Sequence, residues 1–283
     1  MRAAEAEAVI EALRRPRYEV LPLDGIAERV AEHVPSEVTM TVTASPTRGI
    51  ASTLAVAERL AEQGRRVVPH LAARLITNEV HLKDVVQRLT DRGIREVFVI
   101  AGDAREPAGR FEGALDLLAA MADVGHQFEQ VGIAGYPESH PFIDDDVTIQ
   151  AMWDKRRFAT YIVSQICFRP KSVAGWVRRV RRRGVDLPVH VGVPGPVDAA
   201  TLLRISSRIG IGESARFARR HTSWLPHLLR AGGYRPDLLV EGLAGSIADP
   251  MDRVAGFHFY TFNEVARTER WRQQTLAHMT ASA

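Results

Sequence analysis

Residues 66–102 read RVVPHLAARLITNEVHLKDVVQRLTDRGIREVFVIAG, and their pattern sets the architecture. The two ends, RVVPHL (66–71) and EVFVIAG (96–102), are short, largely apolar and rich in valine. Parallel strands covered on both faces read this way, because neither face meets water. Between them, VHLKDVVQRLTDRG spaces its apolar residues as a helix does and closes on Arg92 and Gly93. A cation at the negative end of the helix dipole, followed by a glycine free to turn left-handed, is a helix C-terminus. The stretch is therefore one β-α-β unit.

Working outward, the same unit recurs. Further strands are expected at RYEVL (17–21), EVTMTVTA (37–44), QVGIAG (130–135), ATYIVSQICF (159–168), LPVHVGVPG (187–195) and AGFHFYTF (255–262). Helical segments such as ASTLAVAERLAEQG and VAGWVRRVRRRG separate them. Eight strands alternating with helices on a chain of 283 residues predict an α/β protein, a (β/α)8 TIM barrel occupying residues 1–283 as a single domain. The long stretch at about 198–254 is expected to add extra helices before the last strand. A doubly wound open sheet is the competing architecture, but it uses fewer strands over this length.

Composition narrows the function classes. With 46% hydrophobic and 25% charged residues the chain reads as an ordinary globular protein. Its net charge of +3, from 37 basic and 34 acidic side chains mixed along the chain, argues against nucleic acid and suits an anionic small substrate. The single cysteine, Cys167, can form no internal disulfide, and no apolar run is long enough for a bilayer; a cytoplasmic location is expected, with no membrane partner. A homo-oligomer is left open.

In a barrel of this type the chemistry sits at the carboxyl ends of the strands. Polar groups recur there: Glu19, Thr41, His70, Asp103, Tyr136, His140, Gln165, Tyr260 and Asn263. Each has a plain structural alternative. Glu19 could pair with Arg17, Asp103 could cap a helix, His70 could be a bonded core histidine, Gln165 could satisfy backbone and Tyr260 could pack. Together they form a ring of different polar groups at one barrel mouth, as a site for a polar heterocycle requires. Other chemistries lack their motifs. GIGESARF has neither the lysine of a phosphate loop nor a dinucleotide spacing, and no GxSxG, HExxH or paired CxxC is present. No metal site is expected: the acidic run Asp144, Asp145, Asp146 is read as a helix N-terminal turn.

Taken in order, VVPHL, AGD, AGYPESHP, Lys155 ahead of YIVSQICF, and GFHFYTFN resemble the methylenetetrahydrofolate reductase family, from RYEVLP almost to the end of the chain. The resemblance implies reduction of 5,10-methylenetetrahydrofolate to 5-methyltetrahydrofolate by a reduced nicotinamide, in the family typically through bound FAD. It implies Glu19 as general acid, Asp103 near the pterin and Gln165 as a pterin contact, with Tyr260 and Asn263 placed among the substrate contacts. It puts Thr41, His70, Tyr136 and His140 near the cofactor ring and Lys155 on the cofactor side. These types suit the chemistry. A carboxyl in a partly apolar strand can hold a proton near neutrality for the leaving nitrogen, a fixed carboxylate steadies the iminium, and an amide matches the aminopyrimidinone edge.

The departures point to one branch. Ala101 stands where the family has an arginine before its GD pair, and Ala72, Ala73, Arg74, Leu75 replace a block of the TCRD kind. Phe158 replaces a glycine, where it would crowd the flavin side. Each lost cation partner of a pyrophosphate costs about 1.5–3 kcal/mol. The pattern resembles the flavin-independent, mycobacterial-type branch, with NADH as direct co-substrate and against FAD. Two alternatives stand: an FAD-dependent reductase of the same family, and a non-catalytic barrel that binds folate or a nucleotide.

Overall fold

The computed structural model describes residues 1–138, 145–198 and 233–282. His140 and most of the 198–254 insertion fall outside the described residues. Eight parallel strands close into a barrel in chain order: β1 (Arg17–Val20), β2 (Thr39–Val42), β3 (Val67–Ala72), β4 (Glu96–Ile100), β5 (Gln130–Gly135), β6 (Tyr161–Ser164), β7 (Val189–Pro194) and β8 (Val254–Tyr260). The leading helix α1 (Ala3–Arg14) precedes β1. Helices α2 (Ile26–His33), α3 (Gly49–Glu62), α4 (Glu79–Asp91), α5 (Ala114–Val124), α6 (Asp145–Lys155) and α7 (Pro170–Arg182) each follow a strand. Two short helices, α8 (Asp237–Gly242) and α9 (Ala244–Ala248), precede β8, and α10 (Val265–Ser282) follows it. The expected barrel and the extra helices before its last strand are both present. No described helix is long and apolar enough to cross a membrane.

The β-α-β unit quoted above shows why these residues form these elements. The Asn78 side chain caps α4 by accepting a 2.9 Å bond from the His81 amide. After α4, Gly93 takes φ 70° and its amide closes on the Thr90 carbonyl at 2.9 Å. That conformation is strained for any residue with a Cβ, so the Arg-Gly ending acts as a stop signal.

The strands sort their side chains by alternation. Val67 and Leu71 of β3, Val97 and Val99 of β4, and Ile133 of β5 join the large core between sheet and helices. The intervening Val68, Phe98, Ala134, Tyr161 and Val163 form a smaller cluster inside the barrel, with Ile100 and Tyr136 against it. That inner apolar cluster comes from β3 to β6. The inward positions of β8, β1 and β2, paired in register as His258 with Arg17, Tyr260 with Glu19, and Glu19 with Thr41, are polar. The barrel interior is thus largely apolar along β3 to β6, where His70 and Glu96 are the charged or ionisable exceptions beside Tyr161, and polar along β8, β1 and β2.

Several strands end earlier than periodicity alone suggests, and each early end has a cause. At Gly102, φ 88° turns the chain out of β4. Past Ser164 the β6 segment leaves regular pairing, although Gln165 and Cys167 still bond Gly135 and Gly192 carbonyls at 2.8 and 3.1 Å. After β8, Phe262 and Asn263 adopt left-handed φ values of 51° and 59°.

Candidate active site

Glu19 lies inside the barrel on β1, with 15% of its side chain exposed. Its Oε2 is 3.1 Å from Nε2 of His258 on β8 and 3.7 Å from Nε2 of His70 on β3. Burial raises the Glu19 carboxyl to about 7, with the neighbouring His70 working weakly in the opposite direction. Burial likewise lowers His70 to about 4 and His258 to about 3, and for His258 the Arg17 cation adds to the effect. At neutral pH both imidazoles are neutral, and the carboxyl is poised to hold or release one proton.

Arg17 is not the partner of Glu19, although the two are adjacent inward residues of β1. The guanidinium crosses the barrel to Glu96 of β4, donating from Nη1 at 2.5 Å, and lies 4.5 Å from the centre of the Tyr161 ring. The obvious neutralising cation is thereby removed, and desolvation dominates at Glu19. Thr41 and His70, expected near the cofactor ring, lie deep in the barrel, His70 Nε2 at 3.7 Å from the Glu19 carboxyl and Thr41 paired with Glu19 in register. Both are buried, and Thr41 Oγ1 and His70 Nε2 have no hydrogen-bond partner among the described residues. Such atoms are costly to bury alone, and a bound ligand can satisfy them.

Tyr260, the next inward residue of β8, donates its hydroxyl to the Ser164 carbonyl at 3.1 Å. It reaches across β7 because Gly192 stands between: a Cβ there would come within 2.3 Å of the Ser164 oxygen and 2.8 Å of the Tyr260 ring. Its hydroxyl is therefore engaged with backbone, and its ring packs against that of His258 at 5.0 Å, in register with Glu19.

Asn263 does not reach into the mouth. Its Oδ1 accepts the Leu21 amide at 2.7 Å and its Nδ2 donates to the Leu21 carbonyl at 3.1 Å, so both ends of the amide are spent on the backbone after β1. Thr261 Oγ1 donates to the Glu19 carbonyl at 2.6 Å. Together these residues close the β8–β1 seam and fix the end of the strand that carries Glu19, holding two left-handed residues in place. Asn263→Ala is expected to cost about 2–3 kcal/mol, from two buried hydrogen bonds and the lost tolerance of asparagine for this φ. A melting temperature within one degree of wild type would contradict this.

The remaining expected residues divide. Gln165, one residue past β6, is exposed at the mouth, and Asp103 is exposed in the loop after β4. Tyr136, after β5, packs partly buried against the inner apolar cluster. Lys155 is not brought to this group. It occupies the last turn of α6, ahead of the amino end of β6, so the topology sets it toward the opposite face of the barrel. It is partly buried there, and burial lowers its pKa. Phe158 lies in the turn just after α6 and packs on the outer core, so it cannot crowd a ligand at the mouth. His258 carried no assigned role in the sequence, yet its Nε2 lies 3.1 Å from the Glu19 carboxylate. The signal was there in the alternation of FHFY, since an inward Tyr260 makes His258 inward too.

A family model described as methylenetetrahydrofolate reductase matches residues 21–272. The chain belongs to the methylenetetrahydrofolate reductase family. Among curated relatives of this family, methylenetetrahydrofolate reductase 1 of Schizosaccharomyces pombe (strain 972 / ATCC 24843) is 26% identical over 207 residues, covering 69% of this chain and 33% of its own. Methylenetetrahydrofolate reductase 2 of Saccharomyces cerevisiae (strain ATCC 204508 / S288c) is 25% identical over 134 residues, 44% of this chain and 22% of its own. The alignments thus span a third or less of these relatives. Among solved structures, a candidate lyase/mutase from Burkholderia cenocepacia J2315 superposes with a TM-score of 0.50 at 15% identity, covering 99% of this chain and 87% of that one, which shows the fold alone.

Proposed function

We propose that this reductase-family barrel reduces 5,10-methylenetetrahydrofolate to 5-methyltetrahydrofolate with NADH as direct hydride donor and Glu19 as general acid. The observation that carries the proposal is the Glu19 carboxyl, buried between two neutral histidines with its pKa raised to about 7. As the bond from the methylene carbon to its leaving nitrogen breaks, that nitrogen needs a proton, and a carboxyl with a pKa near the working pH gives one most effectively. The cation left on the substrate then takes hydride at the methylene carbon. Asp103 supplies negative charge at the rim, and Gln165 presents an amide able to donate to and accept from the pterin edge. His258 holds the acid by its 3.1 Å contact and, being neutral, does not compel it to ionise.

The residues on the flavin side do not fit FAD well. Arg74, the basic residue in the block after β3, is occupied by the loop after β4: its Nε donates to the Glu112 carbonyl at 2.9 Å and its Nη1 to the Ala104 carbonyl at 3.1 Å. Ala101 offers no charge, and a Cβ on Gly102 would meet Ala72 at 2.8 Å, so this seam is filled with small residues. These features support direct transfer from NADH. The absorption spectrum of the purified protein tests the point. A protein without a band between about 350 and 500 nm that oxidises NADH only when methylenetetrahydrofolate is added is the expected result; stoichiometric flavin absorbance would overturn it.

A further inference from the structure

Glu138 belongs to the AGYPESHP motif but has no part in the chemistry above. Its side chain is 14% exposed, and one oxygen, Oε1, accepts two backbone amides, Phe168 at 2.9 Å and Arg169 at 2.8 Å. These are the last two residues before α7, whose first position is Pro170 and so has no amide to offer. The carboxylate therefore sits at the positive end of a 13-residue helix, with the Arg169 Nε 3.8 Å away on the solvent side. A single side chain from the loop after β5 thus fastens the loop after β6.

Two groups lie on either side of this clasp: Gln165, which the proposed function sets at the pterin edge, and Tyr136, which the family resemblance sets near the cofactor ring. Tyr136 is two residues before Glu138, and Gln165 is three residues before Phe168. The connection extends further, since Phe168 packs edge-on against Tyr234 at 5.3 Å and Tyr234 exchanges both backbone bonds with Val197, after β7. Glu138 thereby links the rim segments that follow β5, β6 and β7.

We infer that Glu138 is a positioning residue that sets the gap between Tyr136 and Gln165, and so the distance at which nicotinamide and pterin meet. This rests on the proposed function for the identity of the two ligands. The geometry at Glu138 asks only for an acceptor oxygen, so glutamine retains most of the role and alanine removes it. The test compares Glu138→Ala and Glu138→Gln in the full chain by steady-state kinetics, by calorimetric titration with NADH and with 5-methyltetrahydrofolate, and by thermal melting.

The expected result for Glu138→Ala is a roughly tenfold or larger rise in KM for both substrates, with matching losses of affinity, kcat within about threefold of wild type and melting within a few degrees. Glu138→Gln is expected to lie within about threefold of wild type in all of these. Unchanged KM and affinity in Glu138→Ala would overturn the positioning role, as would a glutamine variant as impaired as the alanine one, or a loss confined to melting temperature. Wild-type protein that binds neither ligand would instead overturn the proposed function, and with it the use made of this clasp.

Discussion

Glu19→Gln is expected to lower kcat for methylenetetrahydrofolate reduction by about 10²–10⁴-fold, the usual contribution of a positioned general acid. The substitution keeps the shape of the side chain and an oxygen facing His258, but it removes the transferable proton. Substrate affinity is expected to stay within a few-fold of wild type, because the carboxyl is one of several groups around the mouth and acts on the nitrogen only as its bond breaks. Stopped-flow measurement of NADH oxidation separates the two quantities. A parallel loss of affinity and turnover would make Glu19 a binding residue, and unchanged turnover would move the acid elsewhere.

The same substitution is expected to make the protein more stable at alkaline pH. The folded carboxyl titrates at about 7 where its ordinary value is 4.5. The burial that raises it is tolerated in full below pH 4.5, where folded and unfolded chains both carry the protonated acid. That stability is lost as pH rises through 7, because the folded state must then ionise a buried group. At about 1.4 kcal/mol per unit, the loss at pH 8 amounts to roughly 3 kcal/mol. Glutamine never ionises, so Glu19→Gln is expected to melt about 5 °C above wild type at pH 8 and near it at pH 4.5. Equal shifts at the two pH values, or destabilisation at pH 8, would show that the carboxyl is not held out of water as described.

Much of this site was legible in the sequence because a parallel barrel states its own geometry. Uniformly apolar strands imply coverage on both faces, and polar residues near their carboxyl ends then have one place to gather. Glu19, Thr41, His70 and Tyr260 gather there, and Gln165 stands at the rim. What could not be read was which polar group satisfies which. Arg17 is two residues from Glu19 in sequence, yet it bonds Glu96 across the barrel, a choice set by closure of the sheet. Asn263 looks like a ligand contact at a strand end but is spent on Leu21, because the seam between the last strand and the first has no local trace in either segment. Lys155 and Phe158 precede β6 and so fall at its amino end, whereas the residues that follow it reach the mouth. Glu138 was hidden for a related reason: its partners are backbone amides 30 and 31 residues away, which no side-chain pattern reveals.

The pH dependence of kcat/KM for methylenetetrahydrofolate, measured for wild type and for the residual activity of Glu19→Gln, addresses the acid most directly. The buried carboxyl predicts a wild-type profile that falls tenfold per pH unit above an apparent pKa near 7, and a Glu19→Gln profile without that limb. A wild-type profile flat from pH 6 to 9, or a limb that survives in Glu19→Gln, would contradict it.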